Sequence, residues 1–272
     1  MKHMRELLFT GSLLYSLTIS GINDNSQFES ARSISLSNAT VATFGILNPA
    51  STILKENSFL VATYENKYIT KELSSTTFTA LYKSKFADLS FCMNYFGYEI
   101  YNETSFLVSS SKKLSDWISL GLKIKYTSFY FHSEDGRSNK LSAGIGVLLF
   151  QNRDINLGLN FDNLLKVRLD NNYEPLSLSM PFNYQLGLAY HAMHDLCFLF
   201  QLSQWESQNI QLAVAAEYNG ISSFPLRLGL SGMPFSPSFG IGYVCDLFQI
   251  DIAAKYYLNL GFSPSLSLTY NF

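Results

Sequence analysis

The stretch of sequence that decides the fold runs from Trp117 to Phe131 and reads WISLGLKIKYTSFYF. Within it, large apolar side chains occupy every second position, at Ile118, Leu120, Leu122, Ile124 and Tyr126. The residues between them are small or charged, namely Ser119, Gly121, Lys123, Lys125 and Thr127. Because successive side chains of a β-strand point to opposite faces, this period of two predicts a strand with one apolar and one polar face. A helix would spread both kinds of residue around its circumference.

The same alternation recurs from about residue 58 to the end of the sequence, as in Ile210–Tyr218, Phe248–Tyr256 and Leu266–Phe272. We count fourteen such segments, centred near residues 63, 78, 92, 107, 123, 145, 158, 188, 201, 214, 228, 241, 252 and 267. Their spacing suits tilted membrane-spanning strands of about 9–11 residues with short connections. Twelve strands is the nearest alternative, since the segments near 63 and 158 are less regular. Asn163 to Pro181 is predicted to be a loop, extracellular if the N-terminus is periplasmic.

The composition of the 272 residues excludes several classes of protein. Charged residues make up 15% and hydrophobic residues 47%, the reverse of a disordered chain. The formal net charge of −2 leaves no basic excess for binding nucleic acid. Beyond the first twenty residues no apolar run approaches the roughly 18 residues of a membrane helix.

These observations favour a β-barrel, in which apolar residues alternate with polar ones along each strand and do not form long apolar runs. A soluble β-sandwich would also alternate, but its strands are usually about 5–6 residues long. The predicted fold is therefore an all-β, transmembrane, antiparallel barrel of the bacterial outer membrane, with about fourteen strands over residues 58–272. Its apolar face would contact outer-membrane lipid.

The two ends of the sequence indicate export and membrane insertion. Lys2 and Arg5 precede the apolar run Leu7–Ile19, so residues 1–20 are predicted to be a signal peptide cleaved near Ser20 or Gly21. A short buried helix is the alternative interpretation of this run. Tyr270 and Phe272 close the last strand in the apolar phase, and we interpret them as a signal for the barrel-assembly machinery.

No set of residues in the sequence points to catalysis, a metal or a cofactor. His191, His194 and Asp195 would share a helix face, but on a strand and turn they diverge. The three widely spaced cysteines match neither a disulfide framework nor a metal site, and we expect them to be wall residues. We therefore expect a protein that is not an enzyme.

Six charged residues fall in the polar phase of the predicted strands and would face the lumen: Lys123, Lys125, Glu217, Arg227, Asp251 and Lys255. If the 219–224 connection is tight, Glu217 and Arg227 lie nearly opposite each other and could pair. These charges either form a polar path for a ligand or make ion pairs that hold a plug to the wall, because an unpaired buried charge is costly.

The segment between the signal peptide and the first strand carries a pattern of its own. Ala31-Arg32, Ala39 and Val41-Ala42 fill an A-R-x6-A-x-V-A stretch, and Asn48-Pro49-Ala50 forms an N-P-A turn before strand one. In this pattern the chain resembles the PorV/PorQ-type outer-membrane barrels of Bacteroidota, within the FadL-like superfamily. The closing stretch 225–272, ending SLSLTYNF, is also similar to that group. Serines at 33, 35 and 37 replace the usual glycines, and the usual acidic pair before N-P-A is missing.

The resemblance implies that residues 21–57 form an N-terminal hatch inside the barrel, with Ala31, Arg32, Asn48, Pro49 and Ala50 as its characteristic residues. A disordered periplasmic leader is the alternative for this segment. The resemblance further implies an accessory or scaffold role in a type IX secretion-like export or surface-attachment complex, with another outer-membrane or secreted protein as partner. A FadL-like transporter of small hydrophobic molecules is the alternative function.

Overall fold

The computed structural model of the protein describes residues 28–132, 136–150, 154–169, 180–206, 208–232 and 234–272. The predicted signal peptide and its cleavage site lie outside these residues. The described chain forms fourteen strands: β1 (Phe59–Asn66), β2 (Ser74–Tyr82), β3 (Asp88–Gly97), β4 (Tyr101–Ser115), β5 (Ile118–Phe131), β6 (Gly136–Phe150), β7 (Ile155–Arg168), β8 (Asn183–Met193), β9 (Leu196–Trp205), β10 (Gln211–Tyr218), β11 (Leu226–Ser231), β12 (Ser236–Cys245), β13 (Phe248–Tyr257) and β14 (Gly261–Asn271).

The strands form one closed antiparallel barrel in which each strand pairs with its neighbours in sequence. β1 and β14 close the ring, with Phe59 opposite Asn271 and Glu65 opposite Ser265. The predicted fold class is confirmed, and the strand number is fourteen rather than twelve. Closure satisfies every strand edge, which a β-protein in lipid requires because the bilayer core offers no water for unpaired backbone groups.

The two faces of the wall differ as the alternation predicts. On β5, Lys123 is only 5% exposed, whereas its neighbours Leu122 and Ile124 are 58% and 56% exposed. The exposed face of the barrel therefore carries the large apolar side chains, and the interior carries the polar ones. Such a coat is stable against lipid and would be unfavourable against water.

The wall departs from the sequence prediction at β7. The stretch expected to be a loop from Asn163 begins as strand, because β7 continues to Arg168. Asn163 adopts a left-handed conformation with φ of 56°, and the register between β6 and β7 shifts between Ala143 and Ile145. This irregularity interrupts the alternation at the point where the pattern suggested that the strand ended. The wall is longest at β4–β7 and shortest at the six-residue β11.

Two short helices precede the barrel in the N-terminal segment, which we define as residues 28–57. Helix α1 (Ala31–Ser35) begins where the Ser30 side chain accepts a hydrogen bond from the Ser33 backbone N–H. A 3₁₀ helix (Pro49–Leu54) begins where the Asn48 side chain accepts from the Ala50 N–H. Within the described ranges, no helix has both the length and the apolar character needed to cross a membrane.

Candidate functional site: the barrel lumen

The N-terminal segment packs against the polar inner face of the wall. Its backbone is bonded to side chains of several strands, so the contacts are discrete hydrogen bonds rather than a continuous sheet. These bonds are Ala31 N–H to Ser267 Oγ (2.7 Å), Ser238 Oγ to Ser35 O (2.9 Å), Val41 N–H to Gln201 Oε1 (3.1 Å) and Ser119 Oγ to Ala50 O (3.2 Å). The segment is therefore bonded to β5, β9, β12 and β14.

The Asn48-Pro49-Ala50 turn lies at the centre of this packing. Asn48 is fully buried, and its Nδ2 donates to the carbonyls of Val41 (2.7 Å) and Val147 (3.2 Å). Its Oδ1 accepts from Ala50 N–H at 3.1 Å. One amide thus ties the turn to its own segment and to β6, which gives the N-P-A pattern a physical role.

Inward-facing glycines mark the path of the segment along the wall. A Cβ on Gly121 would lie 2.5 Å from Ala50 N, and a Cβ on Gly240 would lie 2.5 Å from Ser35 Cβ. The same close approach by residues 35–50 occurs at Gly146, Gly158, Gly187 and Gly229. The wall can therefore accept the backbone of the segment only because these positions lack side chains.

A buried ionic network joins the segment to the short side of the wall. Arg32 of α1 donates through Nε (2.8 Å) and Nη2 (2.5 Å) to the two carboxylate oxygens of Glu217 on β10. Arg227 on β11 donates to Glu217 Oε1 (2.7 Å) and to Asp251 Oδ1 on β13 (2.6 Å). Gln249 Nε2 also donates to Asp251, at 2.8 Å. The two positive and two negative groups balance, and the three wall side chains are each less than 10% exposed.

Burial and the Glu217 carboxylate act in opposite directions on the pKa values of the two cations of the segment near this network, Arg32 and Lys55. Burial opposes the charged form of Arg32, but the Glu217 carboxylate outweighs it and raises the pKa of the guanidinium above its ordinary value. Burial lowers the pKa of the Lys55 ammonium, and the positive charge of Arg32 lowers it further. Arg32 therefore stays charged as the cation that anchors the segment.

A second ionic contact lies on the other side of the lumen. Lys123 forms an ion pair with Asp162 on β7 and also donates to Leu47 O of the N-terminal segment. Its Nζ lies 3.0 Å from Asn160 Oδ1. Sequence reasoning identified Lys123 but missed Asp162, which falls in the inward phase of β7 beside the irregularity at Asn163.

A cavity of about 550 Å³ lies inside the barrel, between the N-terminal segment and the β1–β2 connection. Its floor includes Phe28, Ile34 and Leu47, and its rim includes Tyr68 and Leu73 of the β1–β2 connection. It therefore opens at the rim opposite the start of β1 and the end of β14. We call it the mouth cavity. Lys125 and Lys255, both predicted to face the lumen, line it.

A much smaller pocket of about 40 Å³ lies between the segment and the wall, near Phe44, Phe59 and Val61. Its volume is less than a tenth of that of the mouth cavity described above. Phe28 and Ile46 pack with Phe59 and Val61 in one buried apolar cluster. The apolar contact between segment and wall is thus nearly filled.

The remaining predicted residues lie apart from the lumen site. Tyr270 and Phe272 stack with ring centroids 5.9 Å apart, and the Phe272 N–H donates to Ser58 O at the β1–β14 closure. His191 lies two residues before the end of β8, whereas His194 is in the following turn and contacts Asp195 at 2.7 Å. The described part of the chain contains no cluster of metal-ligating side chains.

Comparisons with known proteins identify solved structures of similar fold but no related sequence. No family model matches the sequence, and no curated protein matches it. Among solved structures, the Pseudomonas putida toluene transporter TodX matches with a TM-score of 0.67 at 9% identity, over 93% of this chain and 99% of TodX. A Pseudomonas aeruginosa FadL homologue matches with a TM-score of 0.60 at 13% identity, over 89% of this chain and 98% of that one.

The outer membrane protein Omp33 of Acinetobacter baumannii matches with a TM-score of 0.52 at 9% identity, over 79% of this chain and 98% of Omp33. At these identities the likeness concerns the fold alone. The structural neighbours include a toluene transporter, a monoaromatic hydrocarbon channel and an outer-membrane protein. With its closed wall and apolar coat, the protein is a multi-pass β-barrel of the bacterial outer membrane, with a fold shared by FadL-like channels.

Proposed function

We propose that the protein is a channel for small solutes across the outer membrane, closed while its N-terminal segment is docked and opened by spontaneous undocking of that segment. The observation that carries this proposal is the arrangement of the lumen. A mouth cavity of about 550 Å³ ends on a segment that hydrogen bonds and the Arg32–Glu217 ion pair hold to the wall. Such contacts can break and reform without disturbing the strand ladder, so the segment can act as a hatch.

The FadL-like fold supports transport in preference to a purely structural role. A FadL-like carrier of small hydrophobic molecules is the narrower form of the proposal. It requires an apolar passage between segment and wall, and the apolar pocket found there has a volume of only about 40 Å³. Passage of a small aromatic molecule along this contact therefore needs displacement of the segment.

A disulfide lock tests this mechanism. The hydroxyl oxygens of Ser37 and Ser238 lie 2.7 Å apart, one on the segment and one on β12. We would introduce Ser37→Cys and Ser238→Cys in a Cys245→Ser background, because Cys245 is the exposed cysteine of the described chain. The protein, reconstituted in lipid vesicles, would be assayed by solute-driven swelling with sugars, amino acids and small aromatic alcohols.

We expect oxidation to abolish swelling and a reductant to restore it. The single variants Ser37→Cys and Ser238→Cys, each in the same background, are the matched controls and should respond to neither treatment. Flux that is the same in the oxidised and reduced double variant would show that the segment is not the gate. Absence of flux for every solute in the reduced state would refute the channel itself.

A PorV/PorQ-like scaffold in a type IX secretion-like complex is the second candidate. The observation that favours it is the close packing of the N-terminal segment against the wall, where six wall glycines contact the segment. A scaffold would keep the segment permanently docked and would copurify with an outer-membrane or secreted protein at fixed stoichiometry. Isolation from native outer membranes, followed by mass measurement of the intact complex, would detect that partner.

A further inference from the structure

The inner wall of β8–β10 carries a patch of uncharged polar side chains that faces the mouth cavity. We define this amide patch as Asn183, Gln185, Gln201, Ser203 and Gln211. Its members come together through the register of three consecutive strands. Gln185 lies opposite Ser203, and Ser203 lies opposite Gln211. The patch is therefore a continuous surface of amides and a hydroxyl, built on strands rather than on loops.

Part of the patch is left without partners although it is buried. Asn183 is 94% buried, since its exposed fraction is 6%, and its Oδ1 makes no hydrogen bond within the described residues. On the floor of the same cavity, Asn38 Oδ1 is also buried and unbonded within those residues. Buried amide oxygens are normally bonded, so two unbonded ones lining one cavity indicate a place for donors from a bound molecule.

Aromatic rings complete the cavity on both sides. Trp205 lies opposite Asn183 in the β8–β9 ladder and lines the cavity beside the patch. On the far side of the ring, Tyr68 and Tyr257 pack edge to face with centroids 5.1 Å apart. An aromatic face next to amide donors and acceptors suits a ligand with C–H faces and hydroxyl edges.

The charged side chains that line the cavity nearly balance and form no field of one sign. Lys123 is paired with Asp162. Glu29 of the N-terminal segment and Glu65 of β1 accompany Lys67 and Lys255, and Lys125 adds one further cation. A hydrocarbon is also disfavoured, because it would cover the amide patch and leave its buried polar atoms without water or partner. Sites built around such atoms discriminate strongly against molecules that cannot bond to them.

We propose that the mouth cavity binds a small uncharged polyhydroxylated solute, of mono- or disaccharide size, on the amide patch. This inference rests on the proposed channel function, since it names the class of solute that the channel would take. The volume of about 550 Å³ lies within the usual range for small-molecule pockets. The ligand hydroxyls donate to Asn183 and Asn38 and accept from the amide N–H groups of the patch.

Binding can be measured through Trp205, because the chain has only two tryptophans and the other is Trp117. In a Trp117→Phe background, purified full-length protein in lipid nanodiscs would be titrated with maltose, and separately with toluene. We expect a saturable change of Trp205 fluorescence with maltose. Asn183→Leu together with Gln211→Leu should weaken apparent affinity about tenfold or more, as expected for two lost hydrogen bonds.

The variant is chosen to leave the fold intact, since neither Asn183 nor Gln211 makes a side-chain hydrogen bond within the described residues. Gln204→Leu is the matched control: the same kind of change on β9, in the outward phase between Ser203 and Trp205. It should leave the maltose affinity unchanged. Retention of the compact, heat-modifiable band in gels would confirm that each variant is folded.

The inference is overturned if maltose gives no saturable response, if the double variant binds maltose as tightly as its parent, or if only toluene saturates. Vesicle swelling in maltose separates this inference from the channel proposal. Binding without flux would keep the sugar site and refute the channel. Flux without saturable binding would keep the channel and refute the site.

Discussion

Replacement of Arg32 by methionine should release the N-terminal segment while leaving the barrel folded. Arg32 is the side chain of the segment that forms an ion pair with the ionic network of Glu217, Arg227 and Asp251. The change takes the network from neutral to one net negative charge within a buried site. Loss of one partner of a buried ion pair costs about 3–5 kcal/mol. Because Arg227 still bonds to Glu217, we expect the lower end, about 3 kcal/mol.

A cost of about 3 kcal/mol raises the undocked fraction of the segment by roughly a hundredfold. Hydrogen exchange of the backbone amides of residues 30–47, measured by mass spectrometry in nanodiscs, reports that fraction. Exchange of strand amides should stay slow, since the barrel ladder does not depend on Arg32. Lys113→Gln is the control: it breaks an exposed ion pair with Asp116 (3.0 Å) and should leave exchange of the segment unchanged.

The double variant Arg32→Met/Glu217→Gln decides whether charge is the cause. It leaves Arg227 with Asp251, which is again neutral, so the segment should exchange more slowly than in Arg32→Met alone. The reasoning is refuted if the segment of Arg32→Met exchanges as slowly as that of the wild type. It is also refuted if the segment of the double variant exchanges as fast as that of Arg32→Met. The second result would mean that the packing of the Arg32 side chain, and not its charge, holds the segment.

Two further changes test the wall. Lys123→Met leaves Asp162 without its cation and should destabilise the folded barrel by about 3 kcal/mol, measured as a lower urea midpoint; Asp162→Asn in the same chain should recover part of the loss. Gly121→Ala places a Cβ 2.5 Å from Ala50 N and should cost about 1–3 kcal/mol of segment docking, measured by hydrogen exchange at residues 48–54; a wild-type exchange rate there would contradict the close approach.

The strand pattern could be predicted from sequence because lipid outside and polar groups inside impose a strict alternation along each strand. The same phase places Glu217 opposite Arg227, a pair that depends only on a hairpin register. Contacts of the N-terminal segment could not be predicted in this way. Arg32 meets Glu217 across 185 positions of sequence, and no local pattern encodes such a contact.

Two parts of the lumen were missed for a different reason. Asp162 directly precedes Asn163, where the backbone is left-handed and the alternation of apolar and polar residues is interrupted. Because the alternation stops there, the sequence predicted a loop from Asn163 onward. The amide patch of β8–β10 alternates like any inward polar row, so its sequence does not distinguish a binding surface from a solvated one. Only the strand register, which brings Gln185 and Ser203 side by side, reveals the patch.

The distribution of contacts along the N-terminal segment has a consequence for biogenesis. The 3₁₀ helix Pro49–Leu54 packs on β4–β6, whereas α1 packs on β11–β14. The two ends of the segment therefore contact different parts of the ring, one near its first strands and the other at its last ones. Full docking of the segment requires both parts of the wall to be in place.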